Sequence, residues 1–421
     1  MNGFCGLDFG TSNSTIGLWN GNAPHLVEFE GTGVSTPSAI FFDFSNGQPS
    51  FGKQAVSDYV AGVDGRFMRA LKSILGTSLI DEKTAIARKA VSFQEIIGLY
   101  FRNLKDHAEQ NAGIEIRDVV LGRPVFFVDG DPEADAKSQQ TLETLATQVG
   151  FTNVSFQYEP VAAAMDYESR VSKEKLALIV DIGGGTSDFS IVRVSPERRA
   201  RTDRADDVLA NTGVHVGGTD FDRLLSVRDI MPMLGLGSTM TDTFGEKVLD
   251  LPQAIFYELA TWQKINFLYK HSVFLEIKSI LRLSHNKDLV RRLLHVIEEQ
   301  YGHKLAMEIE DAKIALTDAD ICHIDLDFIE DGLNQSMTVD GLNQSMSGHV
   351  DKLKRAANEA FATAGLSGDQ IDTVFLTGGS TAIPFVRSEL LALTPQADII
   401  EGDRFGSVGI GLTLEANRRY G

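Results

Sequence analysis

The chain has 421 residues, 43% of them hydrophobic and 23% charged, with a formal net charge of −19. That length and apolar content supply core for two or more domains, and the acidic balance argues against a nucleic-acid-binding surface. Cys5 and Cys322, its two cysteines, form no CxxC pair, no run approaches the ~18 apolar residues of a membrane span, and no cleavable leader precedes the first apolar run, so a cytoplasmic protein is expected.

From the amino terminus, GLDFGTSNSTIG (6–17) is an apolar run holding Cys5 nearby as a small core residue, then an acid, a glycine turn and hydroxyls before a second apolar run. TPSAIFF (36–42) has the content of a strand. DGRFMRALKSILG (64–76) carries a helical apolar spacing closed by Gly76. Ser92-Phe93-Gln94-Glu95 is a capping box that opens a helix to about Asn111. A strand is predicted over 118–127, containing Pro124, and a helix over roughly 140–149. A strand over 154–158 then meets Glu159-Pro160, with proline where a first helical turn tolerates it.

In ALIVDIGGGTSDFSIV (177–192) the early pattern returns: two short apolar runs flank three glycines with Asp181 and Asp188 at the ends. A bare hairpin turn needs one glycine and no acids. Three glycines allow positive φ and leave room for a bulky polar group against the backbone. Residues 7–10 match 180–183, and Thr11-Ser12-Asn13 echoes Thr186-Ser187-Asp188, so the chain holds two copies of one unit. Backbone N–H groups in such a turn form an anion site. Asp8 and Asp181 would repel a bare phosphate and make sense only beside a hydrated divalent cation. Two such turns facing each other would clamp a polyphosphate–Mg²⁺.

PERRARTDRADD (196–207), the one basic cluster, is diluted by acids and reads as a solvated hairpin loop. HVGGTDFDRLL (215–225) sets two glycines before a helix carrying Asp220 and Asp222, and 246–316 is mostly helical. DGLNQSM occurs at 331–337 and again at 340–346, read as a strand and then a helix entry. An amphipathic helix follows over 351–365. TVFLTGGSTAIPFVRSEL is a strand opening at Gly378-Gly379 into a helix with Pro384 near its start, and a final helix begins at about Ser407. The nine histidines show no ligand spacing. Alternating strands and helices make the class α/β. No glycine-rich strand end is GxGxxG or GxxxxGK[ST], which disfavours Rossmann and P-loop folds.

Together, DFGTSNS, Lys72 in LKSILG, EPVAAAMDY, DIGGGTSDFSI, VGGTDFD, EDAKIALT and LTGGSTAIP resemble, in order, the ATPase-domain motifs of DnaK-type heat-shock chaperones in the actin/sugar-kinase superfamily. The nearest likeness is to YegD-type proteins, relatives without the peptide-binding domain. The resemblance runs from residue 6 to about 415. It implies a two-lobed actin-like ATPase fold, each lobe with a ribonuclease H-like core, and nucleotide in the interlobe cleft. Lobe I would be 1–170 (core 1–37 and 95–170, outer subdomain about 38–94). Lobe II would be 171–398 (core 171–216 and 350–398, outer helical subdomain about 217–349), and 399–421 would be a helix returning to lobe I.

Carried over motif by motif, the resemblance implies that Gly10, Thr11, Ser12 and Asn13 hold phosphates from lobe I, and Gly183, Gly184, Gly185, Thr186 and Gly217 from lobe II. Asp8 and Asp181 would position Mg²⁺ through its waters. Lys72 would stabilise the γ-phosphate and orient the attacking water, with Glu159, Thr186 and Asp188 completing the catalytic set. Glu310, Lys313 and Thr317, on one helical face, would grip ribose and adenine. Gly378, Gly379 and Ser380 would lie against the nucleoside, and Asp403 would line the cleft. Phosphoryl transfer to water is mainly positioning and charge stabilisation, so this set suffices for slow hydrolysis. ATP/ADP and Mg²⁺ are the implied ligands, with an unidentified protein partner or co-chaperone, and neither nucleic acid nor membrane. The competing structural readings are a solvated lysine at 72, an acid favoured by the helix dipole at 159, and a surface Glu310–Lys313 pair.

The family pattern is broken where chaperone arginines sandwich adenine: here stand Ile314 and Ala382. Pro124 is retained, but the arginine expected downstream is not, and Gln139 or Lys137 falls near its place. The chain stops at Gly421 with no β-sandwich following, so the expected function is a nucleotide-driven conformational switch. The alternatives are a small-molecule kinase or phosphatase of the same superfamily, and a filament-forming actin-like protein.

Overall fold

The computed structural model describes residues 3–29, 33–87, 89–128, 130–199, 201, 203–242, 245, 247–400 and 406–421. Two mixed sheets organise them. In the first, β1 (Gly3–Phe9) pairs antiparallel with β2 (Asn13–Trp19), which pairs with β3 (Pro24–Leu26). On its other side β1 runs parallel to β4 (Ile116–Arg123), and β4 parallel to β5 (Asn153–Tyr158). The second sheet repeats the arrangement. Its β6 (Lys175–Ile182) pairs antiparallel with β7 (Ser187–Val194), and β7 with β8 (Val208–Val214). Parallel to β6 lies β9 (Thr373–Thr377), then β10 (Asp398–Ile400). Strands β1 and β6 hold the same central place, and their apolar runs are buried, as strands covered on both faces require.

Each sheet has its own apolar cluster. Leu7, Phe9 and Ile16 pack with Phe101, Leu104, Leu142 and Leu145 of the helices Phe93–Ala112 and Pro132–Gln148. A larger cluster joins Val180, Phe189 and Leu376 to Phe221, Leu305 and Leu353. The closing helix Ser407–Tyr420 lies against β1, β4 and the helix Glu159–Glu168, where Gly411 meets the Ala162 backbone too closely for a side chain.

The helix from the capping box runs Phe93–Ala112 and ends at Gly113 with φ +66°. The next begins well before residue 140, at Pro132, because Asp131 caps it by accepting from the Ala134 N–H at 3.0 Å. Strand β4 stops at Arg123, since Pro124 has no N–H to give the ladder. The strand expected over 36–42 splits at Ser38 into Thr36–Pro37 and Ala39–Asp43.

Three expectations are corrected, the second in part. Residues 64–76 are no helix: Gly65–Arg69 is a strand paired with Ala39–Asp43, followed by a 3₁₀ turn over Leu71–Ile74. Cross-strand pairing overrides a helical spacing only a few turns long. The 196–207 cluster joins the antiparallel strands β7 and β8 and is exposed at most of its described residues, as a solvated hairpin loop should be, but two of its charges are not solvated. Arg204 is buried, with its guanidinium on Glu168 at 2.7 and 3.0 Å and also on Asp207, which Arg198 shares. Those charges neutralise one another inside the fold, as buried charges must. The amphipathic helix begins at Val339, not 351, because the Thr338 hydroxyl caps it at the Gly341 N–H.

Candidate functional site

The two antiparallel hairpins β1–β2 and β6–β7 meet across a cleft of about 960 Å³. Their registers are identical. Asp8 faces Thr15 and Phe9 faces Ser14, while Asp181 faces Asp188 and Ile182 faces Ser187. Thr11-Ser12-Asn13 therefore corresponds to Gly184-Gly185-Thr186, which corrects the offset match expected from the hydroxyls. One hairpin offers side-chain hydroxyls where the other offers bare backbone.

The first turn is braced by Ser38, whose hydroxyl donates to the Gly10 carbonyl at 2.7 Å and whose N–H donates to the Ser12 carbonyl at 2.8 Å. The second is braced by the start of the helix Gly218–Leu225. The Gly218 N–H donates to the Gly183 carbonyl at 3.0 Å, and the Thr219 N–H and hydroxyl to the Gly184 carbonyl at 2.8 and 2.7 Å. Each peptide is planar and trans, so the N–H groups of Gly184 and Gly185 point the opposite way from those engaged carbonyls. None of Gly183, Gly184 and Gly185 has positive φ, contrary to expectation. What Gly184 supplies is space: a Cβ there would overlap the Ser12 hydroxyl of the facing hairpin.

At the cleft floor the Lys72 ammonium donates to Glu159 Oε1 at 2.5 Å, with side-chain exposures of 10% and 19%, so the solvated-lysine reading fails. Glu159 begins its helix ahead of Pro160, and Thr377 donates its hydroxyl to Asp181 Oδ1 at 3.1 Å. Burial, reinforced by Glu159 and Asp181 and only partly offset by Lys72, pushes the Asp8 carboxyl up to about 7. Burial and Glu159 likewise raise Asp181, against the Thr377 bond and Lys72. Burial pulls Lys72 down, but Glu159, Asp8 and Asp181 outweigh it and hold the ammonium above its ordinary value. Several acids thus crowd one cation. Among the described residues no His, Cys, Asp or Glu cluster forms a direct metal shell.

One wall comes from the helix Gly302–Ala315 and the turn after it. Glu310, Lys313, Ile314 and Thr317 line the cleft there, facing Gly378, Gly379, Ser380 and Ala382. Lys313 does not pair with Glu310: its ammonium lies 2.7 Å from Asp222 Oδ1 and 3.4 Å from the Gly218 carbonyl. Burial raises Asp222 to about 6, with Lys313 opposing. Gly378 has φ +80° and lies against the Ile182 carbonyl, a place closed to any side chain. Ile314 is 56% exposed and leaves an apolar, open edge where the family pattern has an arginine.

The cleft therefore gathers Asp8, Gly10, Thr11, Ser12, Asn13, Lys72, Glu159, Asp181, Gly183, Gly184, Thr186 and Asp188 with the wall residues above. Gly185 and Gly217 do not line it. Gly217 instead backs the second turn, so close that a Cβ would sit 2.6 Å from the Gly184–Gly185 peptide. Asp403 lies outside the described residues. Sequence reasoning missed Ser38, Arg69 and Trp262, all in the cleft lining and none inside a motif. It also missed the cation beside Pro124, which is the preceding residue. Arg123 donates to the Pro124 and Val125 carbonyls at 3.1 and 3.2 Å, to Asp135 at 2.8 Å and to Gln139, while Lys137 turns away to Asp81.

This geometry defines an α/β protein with a deep cleft between paired glycine hairpins. The sequence matches the Hsp70 protein family over residues 4–229 and 295–411, and the chain belongs to the Hsp70 family of ATP-binding chaperones. It is similar to the chaperone protein DnaK of Thermosipho melanesiensis, 27% identical over 389 residues. That alignment covers 91% of this chain and 54% of DnaK, so the chain spans about half the length of that relative, its nucleotide-binding part. Among the described residues no helix is long and apolar enough to cross a membrane.

Proposed function

We propose that the chain binds Mg-ATP between the two hairpins and hydrolyses it slowly to ADP and phosphate, using the change of occupancy as a conformational switch read by a protein partner. The observation that carries this is the cleft floor, where Asp8, Asp181 and Glu159 act on a single ammonium, that of Lys72. A floor so short of positive charge, beneath two turns rich in N–H and hydroxyl donors, suits a polyphosphate that arrives with its cation. Asp8 and Asp181 would hold Mg²⁺ through its waters, where the ion neutralises phosphate charge.

The chain's own residues do the rest. Thr11, Ser12 and Asn13 on one side and Gly183, Gly184 and Thr186 on the other fix the phosphates. Lys72, kept protonated by its acidic neighbours, stabilises charge on the transferred phosphoryl group, and Asp188 and Glu159 orient the attacking water. The nucleoside would lie between the Glu310–Thr317 face and the Gly378–Ser380 turn, covered by Ile314 and Ala382 rather than stacked on arginines. Lobe boundaries near residues 170 and 398, and a YegD-type kinship within the family, complete this reading.

The test is calorimetric titration with Mg-ATP and Mg-ADP followed by single-turnover hydrolysis on the same sample. Binding with slow hydrolysis that Lys72→Ala abolishes is expected. A folded protein that takes up neither nucleotide overturns the reading.

A further inference from the structure

Beside Lys72 and Lys313 the cleft has a further cation that no motif announces. Arg69 ends the strand Gly65–Arg69, and its guanidinium lies over the Trp262 ring, 5.0 Å from the centroid. Trp262 comes from the other half of the molecule, and the rings around it fix its place. It meets His303 edge-on at 4.8 Å, and His303 Nε2 is 2.9 Å from the hydroxyl of Tyr59, which stacks on Phe67 at 4.4 Å. Both Arg69 and Trp262 line the same cavity as Lys72.

Among the described residues the Arg69 guanidinium makes no hydrogen bond and no ion pair, its backbone alone being paired with Ala39; Glu310 and Asp222 act on its charge from a distance. A guanidinium carries five N–H donors in a planar fork matched to carboxylate or phosphate oxygens, and Arg69, half-buried in the cleft lining, keeps that fork free for such a ligand. The backbone is also bent to bring it there. Ala70, immediately after it, sits in the left-handed region at φ 57°, ψ 34°, a conformation that non-glycine residues rarely adopt. That bend turns the chain between Arg69 and Lys72 and leaves both in one cavity lining.

We propose that Arg69 is a further ligand-contacting residue, taking a phosphate oxygen from the mouth side of the cleft while the Trp262 face steadies its guanidinium. The assignment rests on the nucleotide reading above for its ligand, though it needs only a phosphate-bearing group. Arg69 and Trp262 reach the cavity from segments remote in sequence, so the pair also reports on occupancy.

The chain has two tryptophans, and Trp19→Phe leaves Trp262 as the single emitter. In that background Mg-ADP, Mg-pyrophosphate and adenosine are titrated against Arg69, Arg69→Gln and Arg69→Lys while Trp262 fluorescence is followed. Both phosphate-bearing probes should change the emission. Arg69→Gln should weaken them about 10- to 100-fold, Arg69→Lys less, with adenosine affinity unchanged, as loss of a charge-assisted fork predicts. If Arg69→Gln binds Mg-ADP as tightly as the parent, the Arg69 assignment falls and the nucleotide reading stands. If adenosine weakens equally, Arg69 is merely structural and the assignment falls too. Pyrophosphate binding that depends on Arg69, without any nucleotide binding, would keep Arg69 and sink the nucleotide. Should Arg69→Gln fail to fold, Arg69→Lys followed by the same emission and Trp262→Phe followed by calorimetric titration decide the same question.

Discussion

The two hairpins share one backbone and divide its chemistry between them. At corresponding places the first has Thr11, Ser12 and Thr15 where the second has Gly184, Gly185 and Asp188. The first offers hydroxyls and a single acid, while the second offers open peptide groups and an acid on each strand. The missing space on one side is filled from the other: the Ser12 hydroxyl occupies the room that a Gly184 side chain would take. A duplicated unit has thus become complementary rather than redundant. Equivalent positions should therefore give unequal phenotypes.

The largest effect belongs to the cation that serves both hairpins. Lys72→Ala removes the only ammonium bonded at the floor among the described residues and leaves Glu159, Asp8 and Asp181 without it. Single-turnover hydrolysis should fall by about 10³-fold, at the upper end of what one electrostatic contact contributes. A smaller loss than that of Asp188→Asn would mean that the two hairpins, not the lysine, carry the transition-state charge. Asp188→Asn should slow hydrolysis about 10²-fold, the range for a group that orients or accepts from the attacking water, while Mg-ADP affinity changes little. Equal turnover in the variant and the parent would remove Asp188 from the mechanism.

Acid separates the hairpins from the ring cluster around Trp262. Burial lowers the His303 pKa to about 4, helped by Arg69 and opposed by its bond to the Trp262 carbonyl, with the Tyr59 hydroxyl and the Tyr269 ring also beside it. The unfolded imidazole takes its proton near 6.5, so the unfolded state binds more protons as pH falls from 6.5 to about 4. The stability of neutral burial is complete above that window and drains away through it, on the order of 3 kcal/mol in all. Chemical denaturation of the parent and His303→Gln at pH 7 and pH 4.5 measures it. The variant should lose less stability on acidification, and a parent loss no greater than the variant's would refute the buried, neutral histidine.

How far this was legible follows from particular residues. The hairpins were readable because glycines and acids at strand ends have few other uses, and their repetition showed that the chain holds two copies of one unit. Lys72 and Glu159 were readable only through motif position, since they stand far apart in sequence and meet by folding. DGLNQSM, read from the sequence as a strand and then a helix entry and found so, shows that context outside a word decides its structure. The same seven residues form a turn and strand at 331–337 and the first turns of a helix at 340–346. The first copy is fixed by pairing with Ile321–Asp325, the second by the Thr338 cap outside the repeat. Arg69 was lost for that reason. Its strand exists only because Ala39–Asp43 lies beside it, and Trp262, which steadies it, is remote in sequence.

The smallest predicted effect tests the comparison most directly. Thr15 holds the place that Asp188 holds in the other hairpin, yet its hydroxyl is buried at 2% exposure with no hydrogen-bond partner among the described residues. A hydroxyl withdrawn from water and left unpaired opposes folding, and an apolar group of the same shape does not. Thr15→Val should therefore leave hydrolysis unchanged and hold or raise stability, by at most about 1 kcal/mol. If Thr15→Val instead slows turnover as Asp188→Asn does, the first hairpin also reaches the attacking water through its second strand, and the division of labour between the copies is wrong. If turnover holds, one duplicated position carries chemistry in one copy and only packing in the other.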